Sequence, residues 1–179
     1  RERVAGASIG AIHNYQPCLP STPPDAEAAK RCDAYWNRAF PDPQCLGRYP
    51  EHLQRSVEAF MQPGDLARIA KRVDWFGLNH YSPVFVKDDA SSLLKFGFGD
   101  KPAELPITPN GWPILPKAFE HTLLTVSRQY SLPIYVLENG FGGNDTLHGS
   151  SGVFGNDDDY LDGGTGTNTL LAEQCNNIL

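Results

Sequence analysis

Three short apolar runs, at residues 8–15, 73–86 and 133–137, are separated by stretches of several dozen residues that read as helix and loop. That spacing constrains the fold more than any other feature. Hairpins join strands through a few residues, whereas parallel strands need crossovers of a dozen or more, usually containing a helix. The order strand, helices, strand, loop, helix, strand is therefore that of an α/β chain with a parallel sheet. A barrel and a doubly wound sheet fit this order equally well.

The first run, Ser8 to Tyr15, reads as a buried strand passing into a loop at Pro17 and Pro20. Ala29, Cys32, Trp36 and Phe40 then recur at helical spacing, predicting an amphipathic helix from Asp25 to Phe40 capped by Thr22 or Ser21. Pro41-Asp42-Pro43 ends it, because proline lacks an N–H and clashes with the preceding turn. Shorter helices are expected from Tyr49-Pro50 to Phe60 and over Leu66–Ala70. Val73–Val86 reads as one strand, 88–110 as loop, and Pro116–Tyr130 as a helix with Phe119, Leu123, Val126 and Tyr130 on one face. Pro133–Leu137 is a buried strand ending in Glu138.

Composition changes near residue 140. Residues 1–138 balance 15 acids against 15 bases, whereas residues 139–179 carry six acids, no Lys or Arg, nine of the 17 glycines and no proline. The shift predicts two parts, 1–140 and 141–179. No basic patch suggests nucleic acid, and no run reaches the ~20 apolar residues of a membrane-spanning helix. Cys18, Cys32, Cys45 and Cys175 form no C-x-x-C pair and read as small core residues. They favour a cytoplasmic setting for the first part, and an extracellular one is implied if calcium repeats follow. The opening Arg-Glu-Arg-Val, with no initiator Met, reads as an internal start.

Glu138 is the first candidate for chemistry. A carboxylate at the C-terminal end of a parallel strand lies where barrel enzymes build their sites; the alternative is a helix cap or a surface glutamate. Asn79 and Tyr81, two residues apart, point to the same side of their strand. A tyrosine packed at a strand end and a structural amide are the plainer readings. Trp112, in a Gly-Trp-Pro turn, either stacks on a ligand or packs on a rim.

These residues fall in motifs. Pro133-Ile134-Tyr135-Val136-Leu137-Glu138-Asn139-Gly140 resembles the P-[IL]-Y-[IV]-T-E-N-G signature of family 1 glycoside hydrolases, with Leu137 where Thr is usual. Asn37-Arg38-Ala39-Phe40-Pro41-Asp42-Pro43 is similar to the family's N-R-x-F-x-D-P stretch, and Gly47-Arg48-Tyr49-Pro50 to its G-x-Y-P. Asp74 to Tyr81 resembles D-F-x-G-x-N-x-Y, and Gly111 to Pro116 resembles G-W-x-[IV]-x-P. The resemblance implies a partial (β/α)8 TIM barrel, about strands five to seven, and retaining, β-glucosidase-like hydrolysis of O-glycosyl bonds. It implies Glu138 as nucleophile, Tyr81 as the hydroxyl that orients it, and Asn79 and Trp112 as sugar and aglycone contacts. No cofactor is needed for this chemistry, and the substrate is a β-linked glucoside or oligosaccharide. Arg38, Phe40 and Asp42 are read as structural, and His13, His80 and His121 show no metal-ligand spacing.

The family's T-F-N-E-P acid/base motif and its W-S-x-x-D-N-F-E-W run do not occur. The first four strands and the eighth are thus expected outside these 179 residues, and the chain alone is expected to be inactive. Residues 141–179, Gly/Asp-rich and β-roll-like, resemble RTX repeats, in which Asp145, Asp157 and Asp159 would supply oxygens to Ca2+. A flexible acidic tail is the alternative. Three readings follow: a glycosidase fragment whose partners are the remaining barrel strands, a calcium-binding module, and a truncated or chimeric reading frame.

Overall fold

The structure is a computed structural model that describes residues 6–71, 73–140, 146–148 and 169–171. Two units are distinguished, residues 1–106 with 113–140 and residues 107–112 with 141–179.

The first unit is built on a parallel sheet of three strands: β1 (Gly10–Asn14), β3 (Trp75–His80) and β6 (Ile134–Asn139), side by side in chain order. This is the predicted parallel order. Between them run β2 (Cys18–Pro20), α1 (Ala26–Trp36), α2 (Glu51–Glu58), α3 (Asp65–Ile69), β4 (Val84–Asp88), β5 (Phe96–Phe98) and α4 (Pro116–Tyr130). One face of the sheet packs on α4. Phe76 and Leu78 of β3 join Tyr15, Val126 and Tyr130 in a buried cluster. Phe76 stacks on Tyr130 with ring centroids 5.0 Å apart, and the His13 ring centroid lies 4.8 Å from that of Phe76. Alternation along β3 explains the partition: Phe76, Leu78 and His80 face the helix, and Trp75, Gly77 and Asn79 face away.

The run expected as one strand over Val73–Val86 is two. β3 stops at His80, Ser82 and Pro83 follow buried, and β4 then enters a second sheet. There β2 and β4 are parallel, and β5 pairs antiparallel with β4 inside the stretch expected to be loop. The register explains why one apolar run became two strands. β1 continues into β2 just as β3 continues into β4, and hydrogen bonds from Tyr15 N–H to Asn79 O (2.9 Å) and Val84 N–H to Pro17 O (2.9 Å) keep the two paths adjacent. α1 covers this sheet through Ala28, Ala29 and Cys32 against Val86.

The α1 helix ends at Trp36, not Phe40. Its expected apolar face holds only in part: Cys32 is fully buried, but Phe40 is 77% exposed. Trp36 turns outward, its indole N–H donating to Gln16 Oε1 (3.0 Å). Thr22 lies at the head of the turn Pro23–Asp25, and the Asp25 carboxylate accepts its N–H (3.0 Å) and that of Asp88 (2.9 Å). After Pro41, where an end was expected, the chain makes a wide helical turn, Asp42–Leu46.

Asp42 holds that turn to α4. Its Oδ2 accepts Arg38 Nε and Nη2 (3.1 and 2.7 Å), and its Oδ1 accepts Gln129 Nε2 (2.7 Å) and the Tyr130 hydroxyl (2.8 Å). A fully buried carboxylate is tolerable only with such complete pairing. Burial, reinforced by this aspartate, pushes the Tyr130 hydroxyl well above the usual phenol value. Arg38 and Asp42 thus have the structural role expected of them, whereas Phe40 packs little.

In the second unit, β7 (Thr146–His148) and β8 (Thr169–Leu171) pair in parallel. Asp145, Asp157 and Asp159 lie outside the described residues. Among the described residues no helix is long and apolar enough to cross a membrane.

Candidate active site

Glu138 stands at the end of β6, opposite Asn79 of β3. The ladder slips just before it. Leu78 pairs with Val136 and Asn79 with Glu138, so Leu137 is an extra residue, a β-bulge. The bulge sits over Gly77. A Cβ built on Gly77 would meet Leu137 Cδ1 at 3.0 Å and Ala11 O at 3.1 Å, so this glycine makes room for the leucine. Gly10 has the same relation to Trp75, whose indole covers it and meets Tyr135 edge-on at 5.2 Å. The face of the sheet turned away from α4 is thus surfaced with Trp75, Tyr135 and Leu137, and carries Asn79 and Glu138 at its C-terminal end.

The two oxygens of Glu138 have separate donors. Asn79 Nδ2 donates to Oε1 at 2.8 Å, and the Tyr81 hydroxyl donates to Oε2. Both donors come from one strand and its extension, two residues apart, as side-chain alternation requires. The far end of the Asn79 amide, Oδ1, is buried and has no hydrogen-bond partner among the described residues. Asn139 Nδ2 donates to the carbonyl of His80 (2.8 Å), which fixes the end of β6 against the backbone that carries both donors. Periodicity does not reveal this side chain's task, because the residue after a strand-end glutamate belongs to no repeat that would place it.

His80, between the two donors, faces the other way. Its Nδ1 lies 3.0 Å from the Tyr15 carbonyl, which can only accept, so Nδ1 carries the proton of the neutral ring. Burial lowers its pKa, partly offset by that hydrogen bond. His13 is likewise lowered by burial, with a hydrogen bond to Gln44 opposing. Both are packing residues.

Trp112 belongs to the second unit. The loop 107–112 is closed by Thr108 N–H to Trp112 O (2.9 Å), Gly111 N–H to Thr108 O (2.9 Å) and Trp112 N–H to Thr108 Oγ1 (3.1 Å). Gly111, at φ +81°, supplies the left-handed turn. Trp112 is 40% exposed.

Strand β6 departs from expectation. Its apolar run predicts burial, yet Tyr135 is 56% and Leu137 45% exposed, and Glu138 is exposed too. Among the described residues β6 pairs on one side only, and β1 is the opposite edge, with Ile12 exposed. An edge strand of apolar residues lacks the neighbour that its sequence suits. Two cavities of about 550 and 520 Å3 are formed elsewhere in this unit, and neither is lined by Glu138, Tyr81 or Asn79. Among the described residues no group of three or more His, Cys, Asp or Glu is placed to hold a metal.

Comparison with known proteins shows the family. Residues 1–162 match the model of Glycosyl hydrolase family 1. A β-glucosidase of Agrobacterium sp. is 32% identical over 145 residues, 74% of this chain and 30% of that protein. A bifunctional β-D-glucosidase/β-D-fucosidase of Bifidobacterium breve is 34% identical over 157 residues, 77% of this chain and 34% of its own length. Among solved structures, a β-glucosidase from Exiguobacterium marinum superposes with a TM-score of 0.68 at 31% identity, covering 78% of this chain and 33% of that one. The chain spans about a third of the length of the curated relatives it matches. The family match continues past residue 140 into the segment that resembled calcium repeats, and no comparison supports that second resemblance.

Proposed function

The chain belongs to glycosyl hydrolase family 1, and from that premise we propose that it supplies the nucleophile-bearing part of a retaining β-glycosidase. Its three parallel strands correspond to about the fifth to seventh of a (β/α)8 barrel. Glu138 is the nucleophile, Tyr81 and Asn79 hold it, and Trp112 contacts the aglycone. One observation carries the reading: each oxygen of Glu138 has its own neutral donor, Asn79 Nδ2 on Oε1 and the Tyr81 hydroxyl on Oε2.

Two such hydrogen bonds limit the rotation of the carboxylate and hold its angle of attack. The ionised oxygen attacks the anomeric carbon, and the glycosidic oxygen departs with a proton from a second carboxylic acid about 5–5.5 Å away. Water activated by that second group then attacks the glycosyl–enzyme, releases the sugar and frees Glu138. The chain's sequence holds no T-F-N-E-P motif, so the second acid is expected from residues outside these 179. The substrate class is a β-linked glycoside. The names of the relatives include β-glucosidase, β-galactosidase and 6-phospho-β-glucosidase, so the sugar is assigned at that level alone.

The test uses a polypeptide in which the remaining barrel strands accompany residues 1–179. A fluorinated sugar that forms a slowly hydrolysed glycosyl–enzyme should label the peptide Pro133–Gly140. Glu138→Gly should abolish hydrolysis of aryl β-glycosides, and azide or formate should restore it by replacing the lost nucleophile. A label on another carboxylate, or unchanged rates in Glu138→Gly, would exclude Glu138. The 179-residue chain alone should not hydrolyse the same substrates.

A further inference from the structure

Far along the chain from Glu138, β2 and α1 bring together two cysteines that their sequence spacing gave no reason to pair. Cys18 Sγ lies 3.1 Å from Cys32 Sγ, as a thiol–thiol hydrogen bond. Cys32 is fully buried under the second sheet, whereas Cys18 is half-buried and lines the cavity of about 520 Å3. Asn37 Nδ2 also approaches Cys18 Sγ, at 3.8 Å, and is held by Gln16 O and Asp33 Oδ1. The third described cysteine, Cys45, packs against the other core cluster, with Phe76 and Tyr130.

We propose that Cys18 and Cys32 are an oxidisable pair, which a peroxide entering by the cavity converts into a disulfide joining β2 to α1. A disulfide bond is about 2.05 Å long, so the sulfurs need to close by only about 1 Å. The atoms balance simply. The Cys18 thiolate attacks one oxygen of hydrogen peroxide, the O–O bond breaks, and a sulfenic acid forms with release of hydroxide. Cys32 sulfur then attacks the sulfenic sulfur, the S–O bond breaks, and the oxygen leaves as water with the Cys32 proton. Two thiols lose two electrons, and one peroxide becomes two waters.

The hydrogen bond to Cys32, and then burial, push the Cys18 thiol well above its ordinary pKa, so the resting pair is a dithiol and the first step is slow. The consequence is mechanical. The bond would fasten α1, whose C-cap Asn37 grips the backbone at Gln16, to the strand extending from β1.

The experiment treats the folded full chain with millimolar hydrogen peroxide, alkylates remaining thiols, and maps peptides without reduction. A Cys18–Cys32 linked peptide, lighter by two hydrogens than the two separate thiol peptides and absent after dithiothreitol, is the expected result, with Cys45 still alkylated. The same treatment in concentrated urea should lose this selectivity. Folded chain in which Cys18 and Cys32 both remain alkylated would overturn the proposal. So would linkage of either to Cys45 or Cys175, or the same mixture of products with and without urea.

Discussion

The two faces of the central sheet differ in almost every respect. The face against α4 is closed: Phe76, Leu78, Val126 and Tyr130 are buried, ring stacks on ring, and its histidines are neutral packing residues. The other face carries Trp75, Tyr135 and Leu137, is partly bare, and ends in Glu138 with its two donors. Buried packing in this unit is therefore concentrated on the first face and the proposed chemistry on the second, within strands of six residues or fewer. Side-chain alternation allows this, because neighbouring residues of one strand answer to different demands.

The largest expected effect tests the closed face against the open one. Phe76→Ala removes a fully buried ring stacked on Tyr130 and should cost about 3–5 kcal/mol, as large-to-small core changes do. Tyr135→Ala, on the same sheet but 56% exposed with one edge-on contact, should cost about 1 kcal/mol. Urea unfolding of the two variants beside the parent decides it. Equal losses would mean that the open face bears as much of the stability as the closed one.

A smaller effect separates chemistry from stability on the open face. Tyr81→Phe removes the hydroxyl that donates to Glu138 Oε2 and keeps the ring. A hydrogen bond to a charged group contributes about 1.5–3 kcal/mol, so turnover in the barrel-complete polypeptide should fall roughly 10- to 100-fold. The unfolding midpoint should scarcely move. A lost midpoint with unchanged turnover per folded molecule would make Tyr81 a packing residue.

How much could be read beforehand follows the same division. The parallel order of β1, β3 and β6, and the α4 face of Val126 and Tyr130, follow from apolar spacing, because a buried surface imposes its period on the sequence. Asn79, Tyr81 and Glu138 belong to no period. The resemblance to family 1 singled them out, and the fold brings them into contact. The remaining features leave no local pattern for physical reasons. An apolar run cannot say which sheet it enters, so Val73–Val86 read as one strand while the chain divides it at Ser82-Pro83. Helical spacing shows a face but not whether anything covers it, so it groups Trp36 and Phe40 with Cys32 although Phe40 is exposed. The contact between Cys18 and Cys32 joins a strand to a helix, and no local spacing encodes that. Asn139 acts through a backbone carbonyl of another strand, which is equally invisible in the sequence.

The smallest expected effect concerns pH and returns to the closed face. His80 and His13 both have pKa values lowered by burial, while an unfolded histidine titrates near its ordinary value of about 6.5. Above that value both states are neutral and these rings contribute no pH dependence. As pH falls below it, the unfolded chain binds the proton first, so stability declines until the folded value is passed and then levels off. Asp33 has the opposite sign: burial raises its pKa, partly offset by Asn37, so protonating it favours the folded chain as pH falls toward the carboxylate range. The histidine slope should therefore be visible only in the window below about 6.5 and above the carboxylates. His80→Phe, which keeps an aromatic ring beside Phe119 but cannot be protonated, should flatten that slope even if it lowers stability at every pH by orphaning the Tyr15 carbonyl. Urea midpoints measured from pH 7.5 down to 5 in parent and variant make the comparison. An unchanged slope in His80→Phe would mean that this ring already accepts its proton in the folded state, and that the α4 face is less closed than its packing indicates.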